Sequence, residues 1–215
     1  MDLSKPSIVI DESKFPRIST YLKKLPNAIN SYPDCVLDSE IYPHIGKLFP
    51  DLLVDESIDP FFKMLLGEKK NVKWVSEVIG NVLMLIIRTK KFSTDQEFLN
   101  WYRANVLGIL LKKPFLKIIL YVVKPSLAVV GATKRWGAMR RGTTFTSSDI
   151  QKGGNKFSAV ITFQYPANLF NDPMLLTRYS FTTVDVIEMC GAKNIYQRID
   201  IVANDCCKFH LQWEE

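Results

Sequence analysis

No Cys-x-x-Cys pair occurs in this chain of 215 residues, and only two histidines, His44 and His210, accompany its four cysteines. A zinc site of ordinary ligand spacing is excluded, so no metal is expected. A phosphate-cradling G-x-x-x-x-G-K-[ST] loop is also missing, because Gly153-Gly154 reads as a hairpin turn. Helix-turn-helix, zinc-finger and RNP-type aromatic patterns are absent, which argues against nucleic acid as a partner. No apolar run is long enough to span a membrane; the nearest, Phe115 to Ala132, is broken by Lys117, Lys124 and Pro125. It reads as a buried helix with a break. Met1 to Pro16 is charged and holds no signal-peptide core, so the expected compartment is the cytoplasm. In that compartment Cys35, Cys190, Cys206 and Cys207 are expected as free thiols, with Cys206 and Cys207 on opposite faces of a strand.

One sign of charge is missing over a long stretch. From Phe98 to Ser148 there is no Asp or Glu, while Arg103, Lys112, Lys113, Lys117, Lys124, Lys134, Arg135, Arg140 and Arg141 all fall there. The net charge of +6 is thus placed unevenly. A basic face implies an anionic partner: a small carboxylate or phosphate ligand, a lipid-like acid, an acidic protein or a membrane surface. The plain alternative is a solvated basic helix face. A homodimer is also among the expected partners.

What is present is patterned. Residues 1–13 read as a polar tail and 14–215 as one α+β domain, with a helical part over 14–142 and a ββαββ part over 143–213. In the helical part, short helices are expected over Phe15 to Leu25, Asp38 to Leu48 (capped at Asp38 or Ser39) and Pro60 to Leu66. Val72 to Arg88 carries Val75, Val78, Ile79, Val82, Leu83 and Ile86 on one stripe. Ser93 and Gln96 suggest a capping box for the next helix, whose core face holds Phe98, Tyr102, Val106, Ile109 and Leu110. Pro114 to Val123 and Ser126 to Arg141 form one helix kinked at Pro125 or two helices meeting there, with Arg140 and Arg141 in the last turn and Gly142 as a left-handed cap. After Gly142 the apolar period changes from 3.6 to 2. Thr143 to Ser148 and Phe157 to Tyr165 form a hairpin, and Asp172-Pro173 opens a helix that ends at Gly191. Tyr196 to Ala203 and Cys206 to Trp213 close the chain as a second hairpin with a wet face of Lys208, His210 and Gln212.

Several of these features carry a resemblance: Arg135, Arg140-Arg141-Gly142, Phe157 to Phe163, the helix ending Val186-Ile-Glu-Met-Cys-Gly191-Ala192, and Cys207 to Trp213. Over about residues 70–213 the chain resembles a domain-of-unknown-function family abundant in myxobacteria. That family is similar in its C-terminal pattern to vinyl-reductase-type and haem-NO-binding domains. The resemblance implies a bacterial protein with helices on one side of an antiparallel sheet, and a small-molecule-binding role. The haem-binding relatives use a proximal His on a helix. His210 lies on a strand and His44 precedes the matched region, so haem is not carried over and no cofactor is expected.

Two constellations bear chemistry. Arg135, Arg140 and Arg141 offer planar forks suited to a carboxylate or phosphate, with Trp136 as an aromatic wall. The competing reading pairs these arginines with Asp149, Asp185 or Glu188 in the service of the fold. The second group is Cys35 and His44, with Asp38 and Glu40 close by in sequence. A thiol with an adjacent imidazole is a nucleophile and base, so this pair supports an enzyme of small-molecule metabolism; the alternative is a loop cysteine near a surface histidine. The function expected first is a binding or sensory protein for an anionic, apolar-bodied ligand held between helices and sheet.

Overall fold

The structure is a computed structural model describing residues 8–67, 72–107 and 123–215, without the side chains of 107, 132–135 and 138. It has the α+β class: helices with antiparallel strands. The chain forms two compact units, Met1–Trp101 and Tyr102–Glu215, so Gly142 falls inside the second. The segment expected as helix before the Pro125 joint, residues 114–122, lies outside the described residues, as do Ile109, Leu110 and the lysines at 112, 113 and 117; Pro125 itself opens a helix. Among the described residues no helix is long and apolar enough to cross a membrane.

The first unit contains α1 (Pro16–Lys23), α2 (Tyr42–Leu48), α3 (Pro60–Leu66), α4 (Glu77–Lys91) and most of α5 (Asp95–Tyr102). Each start has a local cause. Pro16, Pro43 and Pro60 sit in first turns, where the missing N–H costs nothing. The Asp38 carboxylate accepts the Glu40 N–H of a short 3-10 turn leading into α2, and the Asp59 carboxylate accepts the Phe61 N–H. At α5 the capping box is one residue later than expected. Thr94 Oγ1 accepts from the Glu97 amide at 3.2 Å, and Glu97 Oε2 accepts from Ser93 and Thr94.

The expected helix over Val72 to Arg88 begins late. Residues Trp74–Ser76 form strand β2, paired antiparallel with β1 (Val36–Asp38), which no local pattern signalled. The helix then starts at Glu77, whose amide donates to the Cys35 carbonyl at 2.8 Å. Its expected apolar stripe is in fact an enclosed helix, since every residue from Glu77 to Ile87 is buried. Two glycines allow the approach of its neighbours. A Cβ on Gly80 would stand 2.5 Å from Tyr42 Oη, and one on Gly46 would run into the Leu66 carbonyl.

The second unit contains α6 (Pro125–Met139), β3 (Arg140–Arg141), β4 (Thr144–Ser147), β5 (Gln151–Gly153), β6 (Lys156–Gln164), α7 (Pro173–Met189), β7 (Lys193–Ala203) and β8 (Cys206–Glu214). The sheet order is β4-β6-β8-β7, all antiparallel, with β5 pairing on β6 beyond the turn. Ala159, Ile161 and Phe163 of β6 and Cys207, Phe209, Leu211 and Trp213 of β8 are buried on one face. The α7 helix begins at Asp172, whose carboxylate accepts the Met174 N–H, and Gly191 ends it at φ 92°. It is tied to the sheet by Gln197, whose Nε2 donates to the Ser180 carbonyl and to Thr183 Oγ1.

One boundary here differs from expectation. The α6 helix ends at Met139, and Arg140 is already extended at φ −148°, ψ 148°. Arg140 and Arg141 therefore lie on strand-like backbone, not in a helical last turn, and their side chains alternate. Gly142 takes its left-handed φ of 77° after a strand rather than as a helix cap.

Candidate functional site

The end of α6 delivers its arginines onto a cluster of rings. Trp136 is buried, 6% exposed, and stacks on Phe145 with centroids 4.5 Å apart and planes 12° from parallel. Phe163 and Tyr179 meet it edge-on at 5.5 and 5.9 Å. Its indole N–H donates to Thr143 Oγ1 at 2.8 Å, which satisfies the one polar atom of a buried ring. The aromatic wall expected of Trp136 thus faces the interior and the guanidinium that follows it.

That guanidinium is Arg140. The Arg140 amide still donates to the Trp136 carbonyl, the last helical bond of α6. As the backbone then straightens, the side chain lies over the rings. Its central carbon is 5.1 Å from the Trp136 centroid and 4.4 Å from that of Tyr179. A second arginine shares the same ring. Arg178 is 3% exposed, its guanidinium carbon lies 5.0 Å from Tyr179 and 5.4 Å from Tyr102, and its Nη2 donates to Tyr179 Oη at 3.2 Å. Ring faces attract cations with about 0.5–2 kcal/mol each, more when water is excluded. The arrangement concentrates positive charge at a partly dry aromatic surface, a setting that favours a planar anion.

The remaining basic residues have other positions. Arg141 is exposed and points away from Arg140 along alternating backbone. Arg135 lies on α6 with its side chain outside the described part. Asp185 and Glu188, weighed as fold partners for the arginines, are met by Arg103: its Nε reaches Asp185 at 2.5 Å and its Nη2 reaches Glu188 at 2.6 Å. Burial raises the Asp185 carboxyl above its ordinary range, against the pull of Arg103.

Cys35 and His44 have contrasting surroundings. Cys35 is 3% exposed just before β1, and His44 is exposed on α2. A thiol enclosed by protein has the environment of a structural cysteine. None of the four cysteines forms a disulfide, and burial raises the Cys190 thiol and pushes Cys207 up to about 12. Among the described residues no group of three or more His, Cys, Asp or Glu could hold a metal ion.

Neither Arg178 nor Tyr179 stands out in the sequence. A signal existed. Arg178 and Asp185 lie seven residues apart on α7 and are both buried, so two charged residues share a face of a helix otherwise read as core. No family model matches this chain, and searches of the curated proteins and of the solved structures find no match either.

Proposed function

We propose that this protein is a non-catalytic binding or sensory protein for a small anionic molecule with an apolar body. The reading rests on one observation, the gathering of Arg140 and Arg178 about the Tyr179 ring. Like charges repel, and repulsion is less screened where water is excluded. An anionic head group beside Arg140 is attracted by both guanidiniums, and the planar fork of an arginine suits a carboxylate. The rings below are closely packed, so the ligand head group sits at the mouth of the aromatic cluster, with Arg140 as its main contact. Arg141 points the other way and contributes long-range attraction. The half-exposed Met139, 43% exposed beside Arg140, offers apolar contact to the ligand body.

The uneven charge from Phe98 to Ser148 supports an anionic ligand. A fatty or aromatic acid matches the combination of a guanidinium and rings. The test is calorimetric titration of the full chain with decanoate and with 2-naphthoate, paired with native mass spectrometry of the protein as purified. Saturable binding that is lost in R140A and kept in K152A, a surface control on β5, is the expected result. Binding unchanged in R140A, or no binding of either acid and no co-purified acid, overturns the reading.

A further inference from the structure

The outer edge of the sheet is β7. Among the described residues it is paired on one side only, with β8. It is eleven residues long, contains no proline, and carries Tyr196, Ile201 and Val202 at 59%, 65% and 57% exposure. Such an edge is a template for another strand unless it is blunted. Here register shifts fall between Lys193 and Tyr196 and between Ile201 and Ala203, which leaves Tyr196–Ile201 as the regular run. Within the run, Arg198 and Asp200 share the wet face, opposite His210 and Lys208 of β8. Arg198 Nη2 lies 3.0 Å from Asp200 Oδ2, and His210 Nε2 lies 2.9 Å from the same oxygen.

We propose that β7 pairs antiparallel with β7 of a second copy of this chain, about a twofold axis at Ile199, joining the two sheets into one. The charges select this register. Directly opposed residues must lie on the same face, so the axis passes at a residue and not between two. Centred on Arg198 or on Ile199, five residues of the regular run pair; other centres keep three or fewer. The Arg198 centre sets that arginine against its own copy, which is destabilising. The Ile199 centre sets Arg198 against Asp200 of the second copy, twice by symmetry. It also places Tyr196 opposite Val202, Gln197 opposite Ile201, and Ile199 opposite itself. The exposed apolar side chains of β7 are thereby covered, and the interface is isologous, as a closed dimer requires.

The test is sedimentation velocity of the full chain from micromolar to several hundred micromolar. Wild type is expected to dimerise with rising concentration. R198D and D200R each place like charges opposite and should weaken the dimer by about tenfold or more. Mixed in equal amounts, the two variants should associate again, because the acids of one then meet the arginines of the other. Far-UV circular dichroism reports whether each variant folds, and I201K, which leaves the β7–β8 pairing intact, serves if a charge variant does not; it too should be monomeric. A wild type that stays monomeric, a single variant that dimerises as tightly as wild type, or a folded mixture that does not associate overturns the proposal. Capture of an extended segment of another protein by a monomeric chain overturns it as well.

Discussion

In the first unit the arginines meet carboxylates, and in the second three lie over rings, Arg103 over Phe181 while also meeting carboxylates, Arg140 and Arg178 over Tyr179. Asp95 is held by both Nη atoms of Arg17, at 2.6 and 2.8 Å, and by Arg88 Nε at 2.7 Å. Lys90 pairs with Asp55 and Lys91 with Asp51 in the same unit. Arg17 and Arg88 tie α1 and α4 to Asp95 of α5, while Lys90 and Lys91 tie the end of α4 to Asp55 and Asp51 in the segment between α2 and α3. In the second unit Arg140 and Arg178 lie over Tyr179 within an aromatic cluster. Arg103 there bridges two carboxylates, those of Asp185 and Glu188. A guanidinium clamped by acids is committed to the fold. Arg140 and Arg178 instead lie over the shared Tyr179 ring, and that aromatic setting is what locates the candidate site.

The comparison breaks first at the cores. Phe163 is fully enclosed and touches the rings of Trp136, Phe145, Tyr165, Phe170, Tyr179 and Phe209. Phe163→Ala should cost about 3–5 kcal/mol in denaturant unfolding. Leu83→Ala, equally buried in α4, should cost about 2–4 kcal/mol. A larger loss for Leu83→Ala would show that the aromatic cluster is not the better-packed core. Next is Arg103→Ala, which leaves Asp185 buried without its cation and should cost about 2 kcal/mol at neutral pH. Burial already raises the Asp185 carboxyl, and removing Arg103 raises it further. The loss should therefore shrink as acid protonates that group, and a deficit independent of pH would refute the burial argument.

Smaller effects sharpen the contrast. The Arg17 hydrogen bonds, with Arg88 behind them, hold the Asp95 carboxyl down at about 2. A depressed carboxyl contributes stability above its unfolded value, near 4, and loses it as pH falls through about 2. Asp95 is 40% exposed, so Asp95→Asn should cost only about 1 kcal/mol at pH 7. The gap from wild type should close between roughly pH 4 and pH 2, read from thermal midpoints across that range. Smallest is Arg140→Ala, at about 0.5–1 kcal/mol, the worth of its ring contacts. Its unfolding curve should nearly overlay wild type while acid binding is lost. A large stability loss instead would place Arg140 among the fold arginines and erase the distinction between the units.

Much of the second unit was legible along the chain. The change of period after Gly142, the Asp172-Pro173 start and the Asn204-Asp205 turn each act through bonds a few residues long, and each element stands close to where the pattern put it. The candidate site was legible only in part. Arg140 and Trp136 were marked by charge and type, but Arg178 was hidden inside a helix that reads as core.

Residue type and spacing by themselves determined the α+β class, the Asp38 and Asp172 caps, the sheet with one wet face and the basic stretch without acids. Those features depend on local hydrogen bonding and on period. Tertiary structure alone decided that Val36–Asp38 pairs with Trp74–Ser76, that α6 stops at Met139, that Asp185 belongs to Arg103, and that Trp136 supports Arg140 from within. Each of those depends on which distant surface supplies the partner, and no pattern within a few residues encodes that.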